Sequence, residues 1–113
     1  MIIFHNMRDA PVFANEPTVR PLAWRIVRTS AGPSHLVAVV QSGSLRMTST
    51  LQTADVASRT VVTESGRVYE LDAGPADDPQ TVCMLMARAR LELHDDFEDV
   101  SAEIWSQMRR LTQ

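Results

Sequence analysis

The chain has 113 residues, 44% of them hydrophobic and 22% charged, with a net charge of -3, which suits one globular domain with a modest core. All eleven basic residues are arginine, so a Gly-Lys-Thr phosphate loop, a Schiff-base lysine and a Ser-Lys dyad are excluded. The lone cysteine, Cys83, excludes an internal disulfide and points to a reducing cytoplasm.

Residues 1–21 contain Pro11, Pro17 and Pro21 and little periodicity. Each proline biases its predecessor toward extended geometry, so this stretch reads as an arm with a short strand at Ile2 to Phe4. Its apolar residues, among them Val12 and Phe13, are expected to dock on the body of the protein or on a partner. The start lacks the basic n-region of a secretory signal. No apolar run approaches the roughly 20 residues needed to cross a bilayer.

From Leu22 the pattern turns to period two, with Leu22, Trp24 and Ile26 alternating against Ala23, Arg25 and Val27. This predicts a strand over 22–29, followed by a Ser30-Ala31-Gly32-Pro33-Ser34 turn and a second strand over 35–41. Gln41-Ser42-Gly43-Ser44 and Glu64-Ser65-Gly66-Arg67 read as hairpin tips, because glycine accepts a positive φ without a Cβ clash. They bound strands over 44–53, 59–64 and 67–72.

With a two-residue loop at the first tip, Gln41 faces Ser44. Val40 then faces Leu45, Ala38 faces Met47 and Leu36 faces Ser49, leaving Arg46 opposite Val39 on the other face. At the second tip the same rule sets Glu64 against Arg67, Val62 against Tyr69 and Thr60 against Leu71. The expected sheet is a five-stranded antiparallel meander with a long, bent third strand, curled into a small, partly open barrel.

Asp72 to Asp77 is a break, after which Asp78-Pro79 supplies an N-cap acceptor and a proline at the first helical position. Val82, Leu85, Met86, Ala89 and Leu93 recur at helical spacing, and Phe97, Val100, Ile104, Trp105, Met108 and Leu111 do so again. Two helices, about 79–93 and 97–111 with Asp95 or Asp96 capping the second, are preferred over one continuous helix of about 50 Å. The class is therefore α+β. One domain spans 1–113, with an arm (1–21), a sheet (22–72) and a helical tail (78–112).

Charge is uneven. Residues 1–76 hold seven arginines against six acids, and residues 77–113 hold four arginines against eight acids. Nothing here resembles the basic footprint of a non-specific nucleic-acid binder.

No constellation of catalytic residues emerges. The chain has no Gly-x-Ser-x-Gly elbow, and the loop serines are explained by turn geometry. His94-Asp95-Asp96-Phe97-Glu98-Asp99 is the densest set of metal-ligand residue types, but sequential residues point in different directions and suit a solvated acidic face better than a metal. Cys83 has no Cys-x-x-Cys partner, which favours core packing or an inert helix flank. Met84 and Met86 read as gap-fillers. Neither a cofactor nor a metal is expected.

The stripe Phe97, Val100, Ile104, Trp105 and Met108 is wider than one core contact requires, and tryptophan is enriched at interface anchors. The favoured expectation is a non-catalytic protein-interaction module, homodimeric through this stripe. An accessory or inhibitor protein of bacterial or phage origin would have this character. The alternative is a small-barrel nucleic-acid binder using Arg25, Arg46, Arg59 and Arg67 on a sheet face.

Overall fold

The computed structural model describes residues 2–5 and 18–111; Pro11, Val12, Phe13 and Pro17 lie outside them. Ten elements follow in chain order: β1 (Ile3–His5), β2 (Ala23–Thr29), β3 (Ser34–Val39), β4 (Leu45–Met47), β5 (Leu51–Asp55), β6 (Thr60–Thr63), β7 (Val68–Glu70), α1 (Pro79–Glu92), β8 (Phe97–Asp99) and α2 (Ser101–Leu111). The α+β class and the order of the central meander are as read from the sequence. The strand count exceeds five, and the barrel does not close.

The third strand of the meander is not one bent strand but two. Its first half, β4, pairs with β3 in a sheet ordered β4-β3-β2-β8, and its second half, β5, belongs to a sheet ordered β1-β5-β6-β7. Thr48 makes the corner. Its amide donates to the Leu36 carbonyl at 2.9 Å, while its Oγ1 accepts from the Leu36 amide at 3.0 Å and donates to the Ser49 carbonyl at 2.8 Å. A side-chain hydroxyl thus stands in for a ladder partner and lets the backbone turn away without orphaning a buried amide.

Both Ser-Gly tips are three-residue loops, not two-residue ones. At the first, the Val40 amide donates to the Ser44 carbonyl at 3.0 Å and the Gly43 amide to the Val40 carbonyl at 2.8 Å. At the second, Thr63 closes on Arg67 at 3.0 Å and Gly66 on Thr63 at 2.9 Å. Gly43 and Gly66 sit at φ 86 and 91, the left-handed residue that ends a loop of this length. Each hairpin is therefore shifted by one residue from the two-residue register, so that Val39 faces Leu45, Val37 faces Met47 and Ala38 faces Arg46. Likewise Val61 faces Tyr69 and Thr60 faces Glu70, and Glu64 does not pair across the tip with Arg67.

The shift reassigns the faces. Leu36 and Ala38 look inward with Trp24, Ile26, Leu51, Val61, Tyr69 and Leu71 into the main core between the sheets. Val37, Val39, Leu45 and Met47 look outward with Val27, where α1 covers them through Leu85, Ala89, Met86 and Leu93. The β4-β3-β2-β8 sheet is covered on both faces.

Asp78 caps α1 as expected, accepting the Thr81 amide at 3.0 Å with Pro79 at the first helical position. The second helix starts later than expected. Phe97 to Asp99 form strand β8 against β2, with Thr29 facing Phe97 and Val27 facing Asp99. The helix-start carboxylate is Asp99, which accepts the Ser101 amide at 2.9 Å, in place of Asp95 or Asp96. Past Asp99 the β2 edge continues to be satisfied: the Val100 amide donates to the Ile26 carbonyl at 2.9 Å, and the Ile26 amide donates to Ser101 Oγ at 2.7 Å. α2 then folds over the main core, burying Val100, Ile104 and Met108 there. Among the described residues no helix is long and apolar enough to cross a membrane.

Candidate functional site

The residues expected to form an interface are mostly absorbed by the chain's own core. Val100, Ile104 and Met108 are buried between the sheets, and Phe97 packs in the α1 layer. Trp105 is half-buried. Its ring meets Trp24 edge-on at 5.9 Å and 61°, and the Arg59 guanidinium lies over it at 5.2 Å. The 72–76 connection closes around this pair, with Trp24 Nε1 donating to the Ala73 carbonyl at 2.9 Å. A Cβ on Gly74 would come within 3.2 Å of Trp105 Nε1. Trp105 therefore anchors α2 to the sheets, and its exposed remainder is occupied by a cation-π contact.

A different helix keeps an uncovered apolar face. The inner side of α1 carries Leu85 and Ala89, both fully buried. On its outer side Gln80, Cys83, Met84, Ala87 and Leu91 are all exposed, Met84 at 49% and Leu91 at 81%. Cys83 is thus on an exposed helix flank and not in the core. Gln80, Met84, Ala87 and Leu91 are spaced four, three and four residues apart, the spacing of a helix-pairing seam. No charge interrupts this stripe. Arg88, held to Glu92 at 3.3 Å, borders it on one side and Arg90 on the other. A helix apolar on both faces is what a buried or partnered helix looks like.

The four arginines proposed for nucleic acid separate into different roles. Arg25 bonds Asp99 at 2.9 Å and the Ala76 carbonyl at 2.8 Å, so it ties α1's approach to β8. Arg59 is engaged over Trp105. Arg46 and Arg67 both line a depression of about 360 Å³ between the Thr48 corner and the second Ser-Gly tip.

The acidic run around residue 95 is dispersed. Glu98 pairs with Arg28 at 2.6 Å and Asp99 with Arg25, which raises the Arg28 guanidinium above its ordinary range through the Glu98 hydrogen bond. His94, Asp95 and Asp96 border an open depression with Arg90 and Leu93. Among the described residues no three His, Cys, Asp or Glu side chains gather closely enough to hold a metal ion. Of the other histidines, His35 Nδ1 lies 3.0 Å from the Thr48 carbonyl at the corner.

No family model matches this chain, and neither a curated protein nor a solved structure matches it significantly.

The outer face of α1 could have been found in the sequence. Within α1, Gln80, Met84, Ala87 and Leu91 recur at helical spacing opposite the predicted inner stripe, and none of them is charged. The placement of Arg46 and Arg67 around one depression had no sequence signal, because 21 positions and a change of sheet separate them.

Proposed function

We propose that this chain is a protein-interaction module that pairs with a second copy of itself through the outer face of α1, acting as an accessory or inhibitor protein in a bacterial or phage-infected cytoplasm. The observation that carries the reading is the uncharged Gln80-Met84-Ala87-Leu91 seam on an otherwise folded surface. Charge along α1 favours an antiparallel partner: Asp77 and Asp78 sit at its start, and Arg88 and Arg90 near its end. Two-fold pairing brings the acids of each copy toward the arginines of the other and opposes the helix dipoles. Met84 of one copy then faces Ala87 of the other, large against small.

A 14-residue helix is about 21 Å long, and one such seam falls short of the roughly 800 Å² per partner of a stable complex. The expected dimer is therefore weak and concentration-dependent. Sedimentation equilibrium from about 10 μM to about 1 mM should show the mass rising from one chain toward two. Leu91→Glu and Met84→Glu, both at exposed positions, should abolish the rise while leaving the fold intact. A monomeric mass across the whole range overturns the proposal.

A further inference from the structure

We infer that the cleft between β1, the β2–β3 turn and α2 is a binding site for a small apolar α-amino acid in its zwitterionic form, a site separate from the α1 seam. The cleft has a volume of about 300 Å³, at the small end of the range for small-ligand pockets. Both sheets and α2 contribute to it. Arg28 and Ser34 are cross-strand partners and share the inner face with Ile26 and Leu36, because side chains alternate along a strand. The same alternation leaves Ile3 exposed and turns Ile2 and Phe4 inward, where both pack against the main core. From α2, Glu103 and Gln107 stand one turn apart beside the buried Ile104.

Ser34 is the decisive residue. It is only 3% exposed, and its hydroxyl has no hydrogen-bond partner among the described residues. A buried hydroxyl left unpaired is costly. This one lines the cleft, so a polar group bound there satisfies it.

The mouth carries one cation and one anion with bonding capacity to spare. Arg28 Nη2 donates to Glu98 at 2.6 Å, but Arg28 Nη1 stays 3.9 Å from Glu103 Oε2, beyond hydrogen-bond reach. The guanidinium therefore keeps donors, and the Glu103 carboxylate keeps acceptors, that no described residue saturates. A carboxylate ligand alone would meet the like charge of Glu103, and an amine alone would meet that of Arg28. An α-amino acid answers both, because its two charged groups share one carbon. Its carboxylate pairs with the Arg28 fork and its ammonium with Glu103. The side chain then lies on Ile2, Phe4 and Ile104, while the Ser34 hydroxyl and the Gln107 amide bond the polar half.

Calorimetric titration of the full chain with leucine, isoamylamine and isocaproate tests this, since the amine is leucine without its carboxylate and the acid is leucine without its amine. Leucine should bind at one site per chain. Each single-charge analogue should bind about tenfold more weakly, the loss expected for one charged hydrogen bond. Glycine, which lacks the apolar side chain, should bind about tenfold more weakly as well. Ser34→Ala removes no side-chain bond among the described residues, so it should fold like the wild type yet weaken leucine several-fold. Glu103→Gln should weaken leucine without weakening isocaproate, and Arg90→Gln on α1 should change nothing. Amide chemical-shift mapping of the wild type, which requires no variant to fold, should place the leucine perturbation at Gly32, Ser34 and Gln107. Four results overturn the inference: absence of leucine binding at millimolar concentration, either single-charge analogue binding as tightly as leucine, a folded Ser34→Ala variant binding leucine as tightly as the wild type, or shifts confined to other residues.

Discussion

Ser101→Ala tests the junction between strand β8 and helix α2. The Ile26 amide points away from β3, because the Leu36 amide opposite it bonds Thr48 instead. It also lies one pair beyond the last β2–β8 partner, Val27 with Asp99. Its acceptor is Ser101 Oγ at 2.7 Å, and both residues are fully buried. Alanine keeps the helix and the volume almost unchanged but leaves that amide without a partner. An unsatisfied buried donor costs about 1–3 kcal/mol. The hydroxyl's own bonds, to Asp99 Oδ1 and the Ile26 carbonyl, are lost as well, so about 2 kcal/mol is the central expectation. Urea unfolding followed by far-UV circular dichroism should show a lower midpoint at unchanged slope. Ser42→Ala, which removes only an exposed loop contact to Ser44, should stay within about 0.5 kcal/mol of wild type. If Ser101→Ala matches that control, the Ile26 amide has another partner and the proposed junction is wrong.

Two further substitutions probe the turns and the anchor. Gly43→Ala and Gly66→Ala, at φ 86 and 91, should each cost about 1–2 kcal/mol from left-handed backbone strain, with Gly→Asn milder; equal stability of the alanine and asparagine variants in thermal melts would contradict three-residue loops. Trp105→Ala should destabilise by about 3 kcal/mol, the low end for Trp→Ala because the ring is half-buried, and should flatten the near-UV circular dichroism of the Trp24–Trp105 pair. It should not change the sedimentation mass at a temperature where the variant is folded, since α1 carries the seam; loss of self-association without loss of stability would return the interface to α2.

Several features were legible because they are local. The Asp78-Pro79 start of α1, the Ser-Gly turn positions and the inner stripe with Leu85 and Ala89 follow from capping, φ preference and 3.6-residue periodicity. Phe97 illustrates the opposite case. Its spacing to Val100 and Ile104 fits a helix, yet β2 offers an unpaired edge, and three residues of ladder take Phe97 to Asp99 into a strand. Once β8 is in place, α2 must begin at Ser101, and its apolar stripe turns onto the core instead of outward.

By itself, then, the sequence determined the α+β class, the order of the meander, where the chain turns and where the first helix begins, since each depends on residues within a few positions of one another. The tertiary structure alone decided the register of both hairpins, the division of the third strand between two sheets, and the start of α2 at Ser101 behind strand β8. The physical reason is the double covering of the β4-β3-β2-β8 sheet. With apolar layers on both faces, Val37 is as fully buried as Leu36 and Ala38 and Val39 is partly buried beside it, so alternation no longer reveals which face is inside. A one-residue slip, which a half-solvated sheet would have ruled out, could be settled only by what packs above and below.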